Sequence, residues 1–197
     1  VALVGYTNAG KSTLFNRLTG AGEFVADMLF ATLDTRHRRL EADAALPVVL
    51  SDTVGFISRL PHELVAAFHA TLEEVRESDL LLHVIDAADS ERASRIDDVL
   101  GVLEAIGAGQ VPRIEVYNKA DLLPEGRGVP AAPREGAIAA VGVSARTGEG
   151  IEALASLIAA RAHGDARNYR LRVPVRCARE RARLYRSGVV VADHVAD

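Results

Sequence analysis

The sequence predicts an α/β protein, a mostly parallel sheet covered by helices, on two observations. Apolar runs of strand length alternate with helix-period segments through residues 1–163. Four short motifs then fall, in order, at the carboxyl ends of successive predicted strands, where open α/β sheets place their ligand sites. A chain of 197 residues with 49% hydrophobic and 25% charged content can bury one sizeable core, which excludes a disordered or collagen-like chain.

The elements follow in order. An apolar strand at 1–4 precedes a helix near 11–19, and a strand pair near 37–43 and 47–52 comes next. Too few residues separate that pair for a crossover, so it forms an antiparallel hairpin at one edge of the sheet. Pro61, tolerated in a first helical turn, opens a helix near 62–77, and Ser90 caps one near 91–106. Strands near 80–86, 113–118 and 138–143 and a helix near 149–162 complete the body, with Gly126, Gly128, Pro130 and Pro133 marking a loop at 124–136. The longest apolar runs, such as Leu80–Ile85 with His83 inside it, fall far short of the ~20 residues of a membrane-spanning helix. A single cysteine, Cys177, cannot bridge the chain to itself, so a reducing cytoplasm is the expected compartment; separately, a monomer is the expected state.

Residues 164–197 break the pattern. Tyr169, Leu171, Val173 and Val175 alternate with Arg170, Arg172, Pro174 and Arg176, which predicts a half-buried edge strand. An Arg-rich helix at 177–187 and a strand at 189–192 are expected after it. The division is therefore 1–163 as the main α/β domain and 164–197 as a small, incomplete α+β module. Because the chain starts at Val1 inside a strand-like run, it reads as a piece of a longer protein.

Charge separates the same two parts. Residues 1–160 carry a formal −9 and residues 161–197 a formal +5, so the tail fits a polyanionic partner, a solvated charged surface being the plainer alternative. Of 23 cationic residues only Lys11 and Lys119 are lysines, and both sit in motifs.

The first motif, Gly5-Tyr6-Thr7-Asn8-Ala9-Gly10-Lys11-Ser12, matches GxxxxGK[ST] between a strand and a helix. Its glycines let backbone N–H groups of Asn8, Ala9, Gly10, Lys11, Ser12 and Thr13 close on phosphates at a helix N-terminus. Lys11 reaches the β and γ oxygens, and the Ser12 hydroxyl suits Mg²⁺. In Asp52-Thr53-Val54-Gly55 the carboxylate can hold Mg²⁺ through water and the Gly55 amide can meet a γ-phosphate, although an Asp cap and turn would look the same. Thr32, in Phe30-Ala31-Thr32-Leu33-Asp34-Thr35, is the second hydroxyl candidate for the metal, with Thr35 as runner-up.

Asn118-Lys119-Ala120-Asp121 ends a strand and suits base recognition. The Asp121 carboxylate can accept from N1–H and the exocyclic amine of guanine, which adenine does not present in that arrangement, while the Lys119 stem packs along the base. Ser144-Ala145 follows the next strand and places the Ala145 N–H toward guanine O6. Taken together, the motifs predict a P-loop NTPase fold of the Ras-like G-domain type that binds GTP and GDP. Phe56 stands where many such switches carry a water-orienting Gln, so slow intrinsic turnover is expected.

Longer phrases narrow the match. Gly5 through Asn16, Leu29-Phe30-Ala31-Thr32-Leu33-Asp34, Asp52-Thr53-Val54-Gly55-Phe56-Ile57, Leu60-Pro61-His62-Glu63-Leu64-Val65 and Thr71-Leu72-Glu73-Glu74-Val75 closely resemble the HflX family of ribosome-associated GTPases. The resemblance covers residues 1–163 and extends to 169–195, which resembles the start of that family's C-terminal domain. One departure is Asp34-Thr35-Arg36-His37, where the family often reads Asp-Pro-Thr-Thr.

The resemblance implies a Mg²⁺-dependent GTPase that binds the large ribosomal subunit, RNA and protein rather than DNA, and splits stalled or idle ribosomes under stress. Asn8 lies where similar potassium-stimulated GTPases supply a side-chain oxygen to K⁺. On this reading Lys11, Thr32, Gly55 and Asn8 serve hydrolysis. The competing readings are a ribosome-assembly GTPase and a nucleotide-binding module with negligible turnover.

Overall fold

A computed structural model describes residues 1–20, 36–40, 48–53, 69–124, 128–164, 169–174, 177–186, 190 and 192–194. Its strands are β1 (Ala2–Val4), β2 (Arg36–Arg39), β3 (Val49–Asp52), β4 (Leu81–Asp86), β5 (Arg113–Asn118) and β6 (Ala137–Gly142). The helices are α1 (Lys11–Thr19), α2 (His69–Arg76), α3 (Arg92–Ala105), α4 (Ile151–Gly164) and α5 (Ala178–Arg186), with a 3₁₀ turn at Ala120–Leu122. The six strands form one sheet in the order β2-β3-β1-β4-β5-β6. All neighbours are parallel except β2 and β3, which pair antiparallel at the edge as the short spacing between them requires.

Each central strand is buried on both faces, which is why its sequence reads as an apolar run rather than an alternation. Leu3, Leu82, Val84, Ile114 and Val116 pack with Leu14, Phe15 and Leu18 of α1 and Leu154 and Ile158 of α4. Ala2, Val4 and Leu81, pointing the other way, pack with Leu72 and Val75 of α2 and Val99 and Leu103 of α3. The crossovers thus cover both faces, and the strand carboxyl ends gather at one edge of the sheet.

Three expectations need correction. Ser90 does not cap α3: the helix starts after Glu91, whose N–H donates to the Asp89 carboxylate at 2.9 Å, so the local Asx turn two residues earlier sets the entry. Residues 169–174 form no strand, and Tyr169 and Leu171, assigned to a buried face, are 75% and 64% exposed. Alternation marks which side chains could face a core, and here no described element lies over them. Val190 and Ala192 belong to no strand either, whereas α5 forms within the expected 177–187 and buries none of its side chains. The predicted start of α2 at Pro61 lies outside the described residues. Among the described residues no helix is long and apolar enough to cross a membrane.

Candidate functional site

β1 delivers the chain into the first loop at Gly5, and two glycines shape that loop by close approach. A Cβ on Gly5 would lie 2.3 Å from the Val84 carbonyl oxygen of β4, and one on Gly10 would lie 2.3 Å from Asn118 Nδ2 of β5. Both glycines have positive φ, 154° and 91°, so a side chain is refused by backbone conformation as well as by space. α1 then opens at Lys11, and no side chain caps its N-terminus, the end at which a helix favours an anion.

Lys11 is buried, and its Nζ donates to the carbonyls of Gly5 and Tyr6, both at 3.1 Å. Burial pushes its ammonium down from 10.5 to about 8, partly offset by the negative charge of Asp52. Asp52 itself is 1% exposed at the carboxyl end of β3, directly opposite Leu3 in register. Next to it, Thr53 is fixed by a hydrogen bond from Oγ1 to the Leu3 carbonyl at 2.5 Å. Ser12 and Thr13 are half-buried in the first turn of α1.

β5 ends at Asn118, whose side-chain amide holds two loops together. Nδ2 donates to the Ala9 carbonyl at 2.9 Å and Oδ1 accepts from the Ala145 N–H at 3.0 Å. The Ala145 amide assigned to guanine O6 therefore has Asn118 as its partner here. Lys119 reaches back the same way, donating to the Asn8 carbonyl at 2.8 Å and to Asp86 at 2.7 Å. Asn8 and Lys119 are the two non-glycine residues with positive φ among those described, at 61° and 63°, and they meet at the site. Backbone strain of this kind costs about 1–3 kcal/mol per residue and persists where surrounding contacts enforce it.

After Lys119 the 3₁₀ turn presents Asp121. Its Oδ1 accepts from Ser144 Oγ at 2.6 Å and its Oδ2 meets Arg146 Nη2 at 2.7 Å. The Ser144 hydrogen bond, with Arg146 adding its charge, holds this carboxyl below the usual carboxylate range, so it is an acceptor at neutral pH. Thr32, Thr35, Gly55 and Phe56 lie outside the described residues. The structure brings Asn8, Ala9, Gly10 and Lys11 together with Asn118, Lys119, Asp121, Ser144 and Ala145.

Three residues at the site went unpredicted. Asp86 holds Lys119, and its place at the end of β4 was a usable signal, since site residues gather at strand ends. Arg146 and Arg17 carry no such signal. Arg17 lies on α1 and reaches the 144–146 segment only through the tertiary fold.

The hard oxygen donors Ser12 and Asp52 suit Mg²⁺ rather than a softer metal. Mg²⁺ is commonly bound through one or two protein oxygens together with substrate phosphates, and these two side chains are of that kind.

Sheet order, phosphate loop and base loop define a P-loop GTPase domain. The chain belongs to the family of 50S ribosome-binding GTPases, whose pattern matches residues 1–119. It is 49% identical over 185 residues to the GTPase HflX of Escherichia coli, covering 94% of this chain and 43% of that protein. The GTPase HflX of Magnetococcus marinus is 50% identical over 193 residues, covering 97% of this chain and 44% of its own length. The HflX resemblance is thus borne out, and the chain spans less than half the length of these relatives. Among solved structures, a GTP-binding protein from Sulfolobus solfataricus in complex with GDP superposes with a TM-score of 0.65 at 27% identity, covering 83% of this chain and 52% of that one.

Proposed function

We propose that this chain is the nucleotide-controlled part of a large-subunit-binding GTPase that splits or rescues ribosomes under stress. The observation that carries the nucleotide half is the Asn118 amide, which clamps the Ala9 carbonyl and the Ala145 N–H and so fixes the distance between phosphate and base positions. The family description and the HflX relatives support the ribosome half.

In this reading Asp121 selects guanine, Asn118, Lys119, Ser144 and Ala145 shape the base pocket, and backbone N–H groups of Asn8 through Thr13 bind phosphates. Lys11, stored on the Gly5 and Tyr6 carbonyls, transfers its ammonium to the β and γ oxygens when they arrive. Ser12, Asp52 and Thr32 would hold Mg²⁺, which when bound neutralises the charge on the transferred phosphoryl group. Gly55 offers its amide to the γ-phosphate. Asn8 is exposed on the loop and offers its side-chain oxygen to K⁺.

The division at 163/164, the cytoplasmic setting and a monomeric state belong to the same proposal. Co-sedimentation of the intact protein with purified large subunits, in GTP and in GDP, tests it together with single-turnover hydrolysis. The expected result is tighter binding with GTP and hydrolysis accelerated by subunits. Equal binding in both nucleotides, or no acceleration, overturns the ribosome half and leaves the guanine site standing.

A further inference from the structure

Arg17 sits in the last turn of α1, six residues after the phosphate lysine, and crosses to the base loop. Its Nε donates to the Ala145 carbonyl at 3.1 Å and its Nη2 to the Arg146 carbonyl at 2.6 Å, contacts that span 128 and 129 residues of sequence. The guanidinium lies against the turn that closes this loop, with Cζ 3.9 Å from where a Cβ on Gly148 would stand. A planar fork bonded to two successive carbonyls fixes the orientation of both peptide planes, which a single-point donor cannot do.

Those planes, 145–146 and 146–147, adjoin the 144–145 peptide that carries the Ala145 N–H and flank Arg146 on both sides, so fixing them restricts both groups. The residue carrying the first carbonyl also carries the Ala145 N–H, and the residue carrying the second also carries the side chain that meets Asp121. Ser144, just before them, donates to the same carboxylate at 2.6 Å. We infer that Arg17 is a positioning residue for guanine recognition: it ties the base loop to the helix that follows the phosphate loop, and so sets how long a guanine nucleotide stays bound. This rests on the reading of Asp121, Ser144 and Ala145 as the base site. Arg17 touches no reacting atom, so hydrolysis of a nucleotide already seated does not depend on it.

The test is nucleotide release from the intact protein, followed with fluorescent GDP and GTP, beside steady-state kinetics for Arg17→Met, Arg17→Lys and Asp121→Ala. Arg17→Met keeps the stem and removes the fork. It should speed release of both nucleotides on the order of tenfold and raise KM by a similar factor, with kcat at saturation unchanged, because two hydrogen bonds worth about that factor are lost. Arg17→Lys can satisfy one carbonyl at a time and should recover part of the loss. Inhibition by magnesium tripolyphosphate, which has no base, should be the same in all Arg17 variants.

A release rate within twofold of the parent, an equal fall in kcat, or weakened tripolyphosphate inhibition would overturn the inference. If Arg17→Met does not fold, the Arg17→Lys release rate and its tripolyphosphate control decide alone. Asp121→Ala separates the two layers: unchanged GTP affinity there removes the base-site reading, whereas a large loss there beside a silent Arg17→Met removes only the role of Arg17.

Discussion

Asn118 Nδ2 lies 2.9 Å from the Ala9 carbonyl, joining the end of β5 to the phosphate loop across 109 residues of sequence. Both residues are buried, at 2% exposure each. The same amide also accepts from Ala145 at 3.0 Å, so one side chain satisfies groups on two loops that approach from different strands. Substituting it exposes how much of the site is built by this contact alone.

Asn118→Ala leaves the Ala9 carbonyl and the Ala145 N–H without their partner. Unsatisfied buried polar groups cost about 1–3 kcal/mol each, so the nucleotide-free protein should lose stability of that order in urea unfolding. Affinity for GTP and GDP should fall together, since the contact precedes the distinction between them. An unchanged unfolding midpoint would show that water replaces the amide without cost.

Asp121→Asn converts a pure acceptor into a group that also donates. Guanine N1–H and its amine then face a mismatched partner, while xanthine, with a carbonyl at that position, gains one. GTP affinity should drop by on the order of a hundredfold or more, and preference should shift toward xanthine nucleotides. Competition binding with GTP, XTP and ATP checks this, and ATP should remain a poor ligand for the parent protein.

Much of this was legible because strands buried on both faces and loops at their ends leave strong local marks. Gly5 and Gly10 are required here by approach distances of 2.3 Å, which only a residue without a Cβ permits. Tyr169 and Leu171 misled because period-two alternation reports a capacity to bury one face, not the presence of anything to bury it against. Ser90 was a reasonable cap by residue type, yet Asp89 one position earlier captured the Glu91 N–H. Arg17 was invisible for a different reason: an exposed position on an amphipathic helix has no sequence mark for a carbonyl that only the folded chain brings near.

Lys11 gives the site a pH signature. Its folded value, lowered by burial from 10.5 to about 8, means that between those values the unfolded chain binds the proton and the folded chain does not. Stability of the nucleotide-free protein should therefore carry the full burial penalty below pH 8 and rise as pH climbs toward 10.5. Phosphates restore a partner for the ammonium, so nucleotide binding near pH 9 should take up close to one proton and near pH 7 about none. Calorimetry in buffers of different ionisation enthalpy measures this uptake. Lys11→Met should abolish it together with tight binding.

His83 controls the acid side. It is 1% exposed in β4 with no hydrogen-bond partner for Nδ1 among the described residues, and it faces Glu115 across the β4–β5 ladder. Burial first, then the charges of Arg113, Arg134 and Lys11, lower it from 6.5 to about 3. The unfolded histidine charges below pH 6.5 while the folded one stays neutral, so stability is complete above 6.5 and drains away toward pH 3. One such group contributes a slope of about 1.4 kcal/mol per pH unit in that window. His83→Leu should flatten the stability profile by that amount between pH 6 and 4, whatever its effect at neutral pH.

The tail arginines divide by helix face. Arg181 and Tyr185 both bond the Asp193 carboxylate, and the Arg181 guanidinium lies 5.6 Å from the Tyr185 ring centre, so this side of α5 is occupied by its own chain. Arg179, Arg183 and Arg186 follow at i, i+4 and i+7 on the other side, all exposed. A polyanion reading the tail should meet that second face, where guanidinium forks suit phosphate oxygens. Arg179→Glu with Arg183→Glu should weaken co-sedimentation with large subunits and reduce the steepness of its salt dependence, since each lost phosphate contact lowers the log–log slope by roughly 0.7–0.9. GTP affinity should not change, because the site's described hydrogen bonds and ion pairs, from Lys11 to Arg146, are made without either residue. Arg181→Glu should act differently, loosening the tail by repelling Asp193 and lowering the helix content of the segment. If the paired reversal leaves both occupancy and salt slope unchanged, this face of α5 meets no RNA, and the +5 of the tail serves only its own solvation.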